Sequence, residues 1–143
     1  MPLSPSSLLK TKLCRPLLPT DAVSRPRLVE RLNRSHDAFL TSIVAPAGAG
    51  KSTLVAEWLA ADPRPAGWLS LDDADNDLSL FLQYLLAAIQ SALPNACTDL
   101  EAVVTAPTLP PPDVLTRWLI NSLADLPTPI VLVLDDLHVI HDP

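Results

Sequence analysis

Eight consecutive residues, A-P-A-G-A-G-K-S at positions 45–52, have the composition needed to bind phosphate. The chain has only 3 glycines, and two of them, Gly48 and Gly50, fall inside this octet. Glycine allows successive backbone N–H groups to turn inward around an anion, because a Cβ at the tight positions would block the approach. The octet also fits the pattern G-x-x-x-x-G-K-[ST], with alanine in the first position. It therefore predicts a phosphate-binding loop that holds a nucleotide.

The side chains that close the octet predict how the nucleotide is held. Lys51 is expected to reach the β- and γ-phosphates and to act in catalysis, and the Ser52 hydroxyl is expected to bind Mg²⁺. Thr53 can add a hydroxyl near the α-phosphate. The guanine-specific pattern N-K-x-D is absent, and ATP or ADP with Mg²⁺ is the expected ligand. The predicted contacts are Ala45, Pro46, Ala47, Gly48, Ala49, Gly50, Lys51, Ser52 and Thr53.

A second motif follows an apolar run near the end of the sequence. Residues 130–134 predict a buried strand, and Asp135 and Asp136 come directly after it. In nucleotide hydrolases a strand of this kind ends in an acid that holds Mg²⁺. We expect Asp135 to hold the metal through water and Asp136 to orient or deprotonate the attacking water. The alternative is a buried strand that ends in two solvated acids.

The elements that must position these residues alternate along the chain. Residues 39–44 are an apolar run that predicts a buried parallel strand, and residues 51–61 predict the helix after the octet. The other predicted strands are residues 68–71 and 130–134, and the other predicted helices are residues 26–34, 78–93 and 113–126. Residues 94–112 are proline-rich and predict a connection. This alternation predicts an α/β fold, with helices on both faces of a parallel sheet.

An acidic turn, D-D-A-D-N-D, precedes the helix at residues 78–93, and Asp77 is its predicted N-cap. The spacing of these aspartates also matches the opening of a calcium loop. However, Leu78 stands where that loop needs glycine and Tyr84 where it needs a bidentate glutamate, which excludes calcium. Glu57, on the helix behind the phosphate loop, is predicted to be a surface charge.

Composition limits the classes of function. The chain has 143 residues, of which 48% are apolar and 18% charged, a balance that suits one globular domain. Its formal charge of −6 comes without a basic stripe, so this stretch is a poor candidate for binding nucleic acid by itself. No apolar run is long enough to span a bilayer, and the N-terminus does not resemble a secretory signal. We expect a cytoplasmic protein whose two cysteines, Cys14 and Cys97, are free thiols.

Five blocks of the sequence together resemble one family. The resemblance is to the N-terminal nucleotide-binding domain of large LuxR-type transcriptional regulators related to the maltose-regulon activator, within the STAND class of signal-transducing ATPases. It covers roughly residues 10–142, and the blocks are T-K-L-C-R-P, V-S-R-P-R-L-V-E-R-L, A-P-A-G-A-G-K-S-T-L, W-L-S-L-D-D-A-D-N-D and V-L-V-L-D-D-L-H. The resemblance implies a three-layer P-loop NTPase sheet of the AAA-like type. It also implies a slow ATPase switch that self-associates in the ATP-bound state.

The resemblance further implies two nucleotide contacts in the N-terminal part. Val23 and Arg25 lie in a block similar to the segment that covers the adenine and ribose in this class. On this interpretation, residues 1–25 are an extended strap over the nucleotide and residues 26–143 are a partial P-loop domain, with the Walker A motif at 45–52 and the Walker B motif at 130–136. The alternative for Val23 and Arg25 is a strand edge followed by an ordinary surface helix.

The sequence departs from the family at its end. Family members continue for hundreds of residues, so we expect a C-terminally truncated domain that lacks the sensor repeats and the DNA-binding helix-turn-helix. The missing fourth strand is expected between the strand at residues 39–44 and the strand that ends at Asp135. Two alternatives stay open: a stand-alone P-loop phosphotransferase or ATPase, and a non-catalytic remnant. Residues 66–113 contain no arginine or lysine, which disfavours a kinase lid.

Overall fold

The computed structural model describes residues 7–141. It contains two compact units. The described residues of the first are 7–14 and 64–141, and we call it the sheet unit; the second is residues 15–63, and we call it the loop unit. The helices are α1 (Pro26–Arg34) and α2 (Lys51–Ala61) in the loop unit, then α3 (Leu78–Ala92), α4 (Thr98–Val104) and α5 (Pro112–Ala124) in the sheet unit.

The sheet unit contains two parallel strands, β1 (Ala66–Ser70) and β2 (Val131–Asp135). Their register pairs Ala66 with Val131 at one end and Ser70 with Asp135 at the other. Parallel strands need a long crossover connection, and helices α3, α4 and α5 provide it. The α/β class, the parallel pairing and the two predicted strands are therefore confirmed.

The core of the sheet unit forms where α3 covers the strands. One face of α3 packs on the sheet, where Leu69 and Ala88 are both 0% exposed. The opposite part of α3 packs against α4 and α5, through Leu82, Leu85, Leu86, Ile89, Leu100, Val104 and Leu115. Full burial of one such aliphatic side chain is worth about 2 kcal/mol, so this helix anchors the unit.

Gly67, the third glycine of the chain, explains how closely α3 approaches β1. A Cβ built at this position would lie 2.3 Å from the carbonyl oxygen of Ala88. No side chain fits that gap without a backbone shift. This glycine therefore serves packing, unlike the two glycines of the octet.

Helix α3 begins as predicted, because the Asp77 side chain accepts a hydrogen bond from the backbone N–H of Leu80 at 2.9 Å. Helix α4, in contrast, lies inside a segment predicted as a connection. Its apolar residues Leu100 and Val104 are four apart and both are 1% exposed, which is helical spacing. The prolines around it led to the prediction of a connection in place of this short helix.

The loop unit is built from α1 and α2. Pro26 occupies the first turn of α1, and Leu32 faces inward. Helix α2 buries Leu54, Val55, Ala56 and Leu59. The indole N–H of Trp58 donates to the Asn33 side chain at 2.9 Å and so joins α2 to α1.

The buried strand predicted at residues 39–44 is wrong. This segment is not a strand in the structure, and Phe39, Leu40 and Val44 are 110%, 86% and 90% exposed. A strand needs a hydrogen-bonded neighbour, and among residues 7–141 the only ladder joins β1 to β2. The apolar run therefore stays outside the sheet. Within the same residues, no helix has the length and apolarity to cross a membrane.

Candidate nucleotide-binding site

The phosphate loop has the backbone that its glycines predict. Gly48 and Gly50 both have φ near +80°, a conformation that other residues rarely adopt. The turn from Pro46 to Ala49, which contains Gly48, brings the Ala49 N–H to the Pro46 carbonyl at 3.2 Å. Gly50 then caps α2, and its carbonyl accepts the helical hydrogen bond of Leu54 at 2.9 Å. Each glycine is thus required where the chain reverses direction.

The start of α2 is suited to an anion. Helix α2 has 11 residues and no acidic residue in its first turn. The N–H groups of Lys51, Ser52 and Thr53 precede its first internal hydrogen bond, so they point toward the loop with the positive end of the helix dipole. A Cβ built at Gly48 would meet nothing within 4 Å, so the loop is open on that side. This donor set and this space fit a phosphate group.

Lys51 adds a cation to the loop. Its ammonium donates to the Ala45 carbonyl, the first residue of the octet, at 2.6 Å. The side chain is partly buried, and within residues 7–141 it forms no ion pair. The lysine therefore spans the loop and is held by a neutral acceptor. Ser52 and Thr53 lie beside it in the first helical turn and are half-buried.

Of the two residues that the family resemblance added, the structure brings Arg25 to the loop. Its Nη1 donates to the Ala49 carbonyl at 2.7 Å. A Cβ at Gly50 would lie 3.2 Å from its Nη2, so the guanidinium covers that glycine. Val23 is 79% exposed, and its contact with a nucleotide stays a prediction.

Glu57, predicted to be a surface charge, also contacts the segment that carries Arg25. Its carboxylate accepts from the Ser24 hydroxyl at 2.5 Å and from the Arg25 backbone N–H at 3.3 Å. Glu57 is the only acidic residue of α2, which is the one sequence signal that could have singled it out.

The two aspartates of the second motif lie at the carboxyl end of β2. Asp135 ends the strand, and its carbonyl accepts from the Leu71 N–H at 3.0 Å. Asp136 is exposed and has φ of 60°, and its N–H donates to the Asp135 side chain at 3.0 Å. The carboxyl end of a parallel sheet is where α/β proteins bind ligands, and a residue held at positive φ is common at such sites. Because these aspartates belong to the sheet unit and Ser52 to the loop unit, a shared metal site stays a prediction.

Within the described part of the chain, metal ligands do not form a preassembled cluster. Among residues 7–141, no group of three or more histidine, cysteine, aspartate or glutamate side chains could hold a metal ion. Mg²⁺ usually keeps several waters and takes one or two carboxylates together with phosphate oxygens.

The acidic turn after β1 holds a cation of the chain itself. The Lys12 ammonium lies 2.5 Å from Asp75 Oδ2, 3.1 Å from Asp72 Oδ2 and 4.3 Å from the centre of the Tyr84 ring. Burial tends to lower the pKa of Lys12, but hydrogen bonds and charges from Asp75 and Asp72 outweigh it and raise this pKa above its ordinary 10.5. Asp75, one of the aspartates that resembled a calcium loop, thus binds a lysine together with Asp72. No sequence pattern predicted Lys12.

Comparison with known proteins places the chain beside bacterial regulators. No family model matches it. It is 40% identical over 136 residues to the "HTH-type transcriptional regulator MalT" of Klebsiella pneumoniae subsp. pneumoniae strain ATCC 700721 / MGH 78578, and equally to that of Klebsiella pneumoniae strain 342. The regulator of the same name from Cronobacter sakazakii strain ATCC BAA-894 is 38% identical over the same length.

The alignments cover 95% of this chain and 15% of each relative. The chain therefore spans about one seventh of the length of the curated relatives that it matches. Identity of this extent over nearly the whole chain confirms the family resemblance found in the sequence: the chain is homologous to a segment of MalT, a LuxR-type transcriptional regulator.

Proposed function

We propose that this chain is the nucleotide-binding module of a transcription regulator related to MalT. The observation that carries the proposal is the loop of residues 45–52, where two glycines at positive φ lead into the start of α2 and Lys51 spans the loop. The similarity to MalT supports a regulatory setting. The ligand is ATP or ADP with Mg²⁺, bound in a P-loop NTPase fold of the three-layer type.

The loop residues divide the work of binding. The backbone N–H groups from Gly48 to Thr53 surround the β-phosphate. Lys51 releases the Ala45 carbonyl and binds the β- and γ-phosphate oxygens instead. These oxygens are stronger acceptors than the carbonyl because they are charged. Arg25 lies next to the end of the loop and adds a second positive charge.

The second half of the proposal concerns Mg²⁺ and hydrolysis. Ser52 and Asp135 would hold the metal, which would supply positive charge to neutralise the phosphates. Asp136, exposed just beyond β2, orients or deprotonates the attacking water. Hydrolysis is slow at most, as suits a switch. Self-association is proposed for the full-length regulator, and DNA binding for its helix-turn-helix domain. The segment acts in the cytoplasm.

Isothermal titration of the chain with MgATP and MgADP tests the proposal. The unmodified chain binds, and Lys51→Ala weakens binding about 100-fold, because a charged phosphate contact of about 2.7 kcal/mol is lost. Arg31→Ala is the matched control, since Arg31 is an exposed cation of the loop unit on α1. Equal affinity of the unmodified chain and Lys51→Ala would overturn the proposal. So would a folded chain that binds neither nucleotide.

A further inference from the structure

We propose that Glu57 is a positioning residue of the nucleotide site, which acts by holding Arg25 against the end of the phosphate loop. This inference rests on the proposed function, because Arg25 matters only if the loop binds a nucleotide. The geometry that carries it is a continuous path of contacts inside the loop unit, from Glu57 through Ser24 and Arg25 to Ala49.

Both oxygens of the Glu57 carboxylate are used on the same short segment. One accepts from the Ser24 hydroxyl and the other from the Arg25 backbone N–H. These partners are 33 and 32 residues away in sequence, so the contact fixes one part of the chain on another. Arg25 is also the residue before the first turn of α1, at φ −123°, outside helical geometry. Because both oxygens of Glu57 accept hydrogen bonds here, they fix the backbone position from which the Arg25 side chain extends.

The other end of Arg25 meets the loop. Its Nη1 donates to the Ala49 carbonyl at 2.7 Å, and its guanidinium covers Gly50. Ala49 and Gly50 are the last two residues before Lys51. The fixed backbone of Arg25 therefore delivers a permanent positive charge to the phosphate side of the site, beside the N-terminus of α2.

Helix α2 is what links the two ends. It carries Lys51 at its start and Glu57 six residues later, in one unbroken helix. Any shift of α2 moves the loop lysine and the carboxylate together. Arg25 consequently keeps its place relative to Lys51, although it belongs to a different part of the sequence. Rigid elements that fix two groups at once are the usual means of preorganising a site.

A double-mutant cycle on MgATP affinity separates this role from a general effect on folding. Glu57→Ala weakens binding about tenfold and Arg25→Ala by a similar factor, the ordinary range for charge-assisted contacts. The variant with both changes binds no more weakly than Arg25→Ala alone, because Glu57 acts through Arg25. Glu57→Gln keeps an oxygen acceptor and a donor at the same positions, and it stays within about twofold of the unmodified chain.

Amide hydrogen exchange supplies a readout that does not need a nucleotide. Exchange at residues 23–25 is faster in Glu57→Ala and unchanged in Glu57→Gln. Glu30→Ala is the control: Glu30 pairs only with the exposed Arg34 of the same unit, and its removal leaves both affinity and exchange unchanged.

Two results would overturn the inference while the proposed function stands. The first is additive losses in the cycle, with Lys51→Ala still weakening binding about 100-fold. The second is unaltered affinity in Arg25→Ala. Failure of the unmodified chain to bind MgATP would instead remove the proposed function, and unchanged exchange in Glu57→Ala would then also remove the positional role of Glu57.

Discussion

The acidic turn and the phosphate loop are each built around one lysine, but they treat it in opposite ways. Lys12 is 7% exposed and lies between two carboxylates and an aromatic ring. Lys51 is half-buried and donates to a peptide carbonyl. The first ammonium has its counter-charges in the folded chain, and the second has none within the described residues.

This difference indicates which of the two lysines is suited to bind an external anion. At Lys12 an arriving phosphate would have to displace Asp75, which is 3% exposed and anchors the turn after β1. At Lys51 it replaces a neutral acceptor and meets helix N–H groups as well. A buried lysine is therefore not a phosphate site merely because it is charged; the charge must lack a partner of opposite sign.

The largest expected effect comes from removing the buried cation. Lys12→Met leaves Asp75 buried without a counter-charge, and loss of one partner of such a pair costs about 3 to 5 kcal/mol of folding free energy. Urea unfolding followed by circular dichroism measures this cost. Lys51→Met is the matched change in the loop, and it costs less than about 1 kcal/mol because no charge is left unpaired. Equal losses in the two variants would show that the two lysines do not differ as described.

Ligand-induced stability sharpens the same comparison. With MgATP at 100 times its dissociation constant, the unfolding free energy of the unmodified chain rises by about 2.7 kcal/mol. The rise falls to about 0.4 kcal/mol in Lys51→Ala, because this variant binds about 100-fold more weakly. It persists in a Lys12 variant that is still folded, because that lysine contacts no nucleotide. Thermal unfolding with and without nucleotide gives the result, and an undiminished rise in Lys51→Ala would contradict the assignment.

The glycines divide in the same way as the lysines. Gly67→Ala pushes a methyl group against the Ala88 carbonyl and destabilises the chain by about 2 kcal/mol, the range for overpacking. Gly48→Ala meets open space but keeps a strained positive φ, which costs about 1 kcal/mol and weakens nucleotide affinity as well. Urea unfolding measures the loss of stability in each variant, and titration with MgATP measures the loss of affinity. A larger affinity loss in Gly67→Ala would contradict the separation.

The smallest expected effect concerns alkaline pH. Because the pKa of Lys12 is raised in the folded chain, its stabilising contribution is complete below 10.5, the ordinary value, and is lost as the pH rises through the folded value. The stability gap between the unmodified chain and Lys12→Met is therefore constant from pH 7 to about pH 10 and narrows above that. Urea titrations across this pH range test whether the stability gap narrows or widens. A gap that widens above pH 10.5 would contradict it.

Local backbone geometry could be predicted from the sequence, since the octet predicted tight glycine positions at Gly48 and Gly50 and a helix that begins near Lys51. The helix caps and periodic apolar faces also appear where they were expected, as at Asp77. What the sequence did not reveal depends on distant partners. Lys12 and Asp75 are 63 residues apart, and Ser24 and Glu57 are 33 apart, so no short pattern encodes either contact.

The wrong strand at residues 39–44 has a related cause. An apolar run predicts burial, but a strand also needs a neighbouring edge, and periodicity within the run contains no information about that neighbour. Helix α4 was missed for the opposite reason. The apolar residues of α4 have helical spacing, but the helix has only seven residues. The prolines on either side therefore led to the prediction of a connection.

Tyr84 gives the chain a built-in chemical reporter. It is the only tyrosine of the sequence and is 4% exposed, with its hydroxyl oxygen accepting from the Leu9 N–H at 3.0 Å and its ring under Lys12. Reagents such as tetranitromethane modify tyrosine only when they can reach its ring. Separation of Leu9 and Lys12 from Tyr84 would expose that ring. The yield of a single nitrated product would therefore measure how often this N-terminal segment detaches.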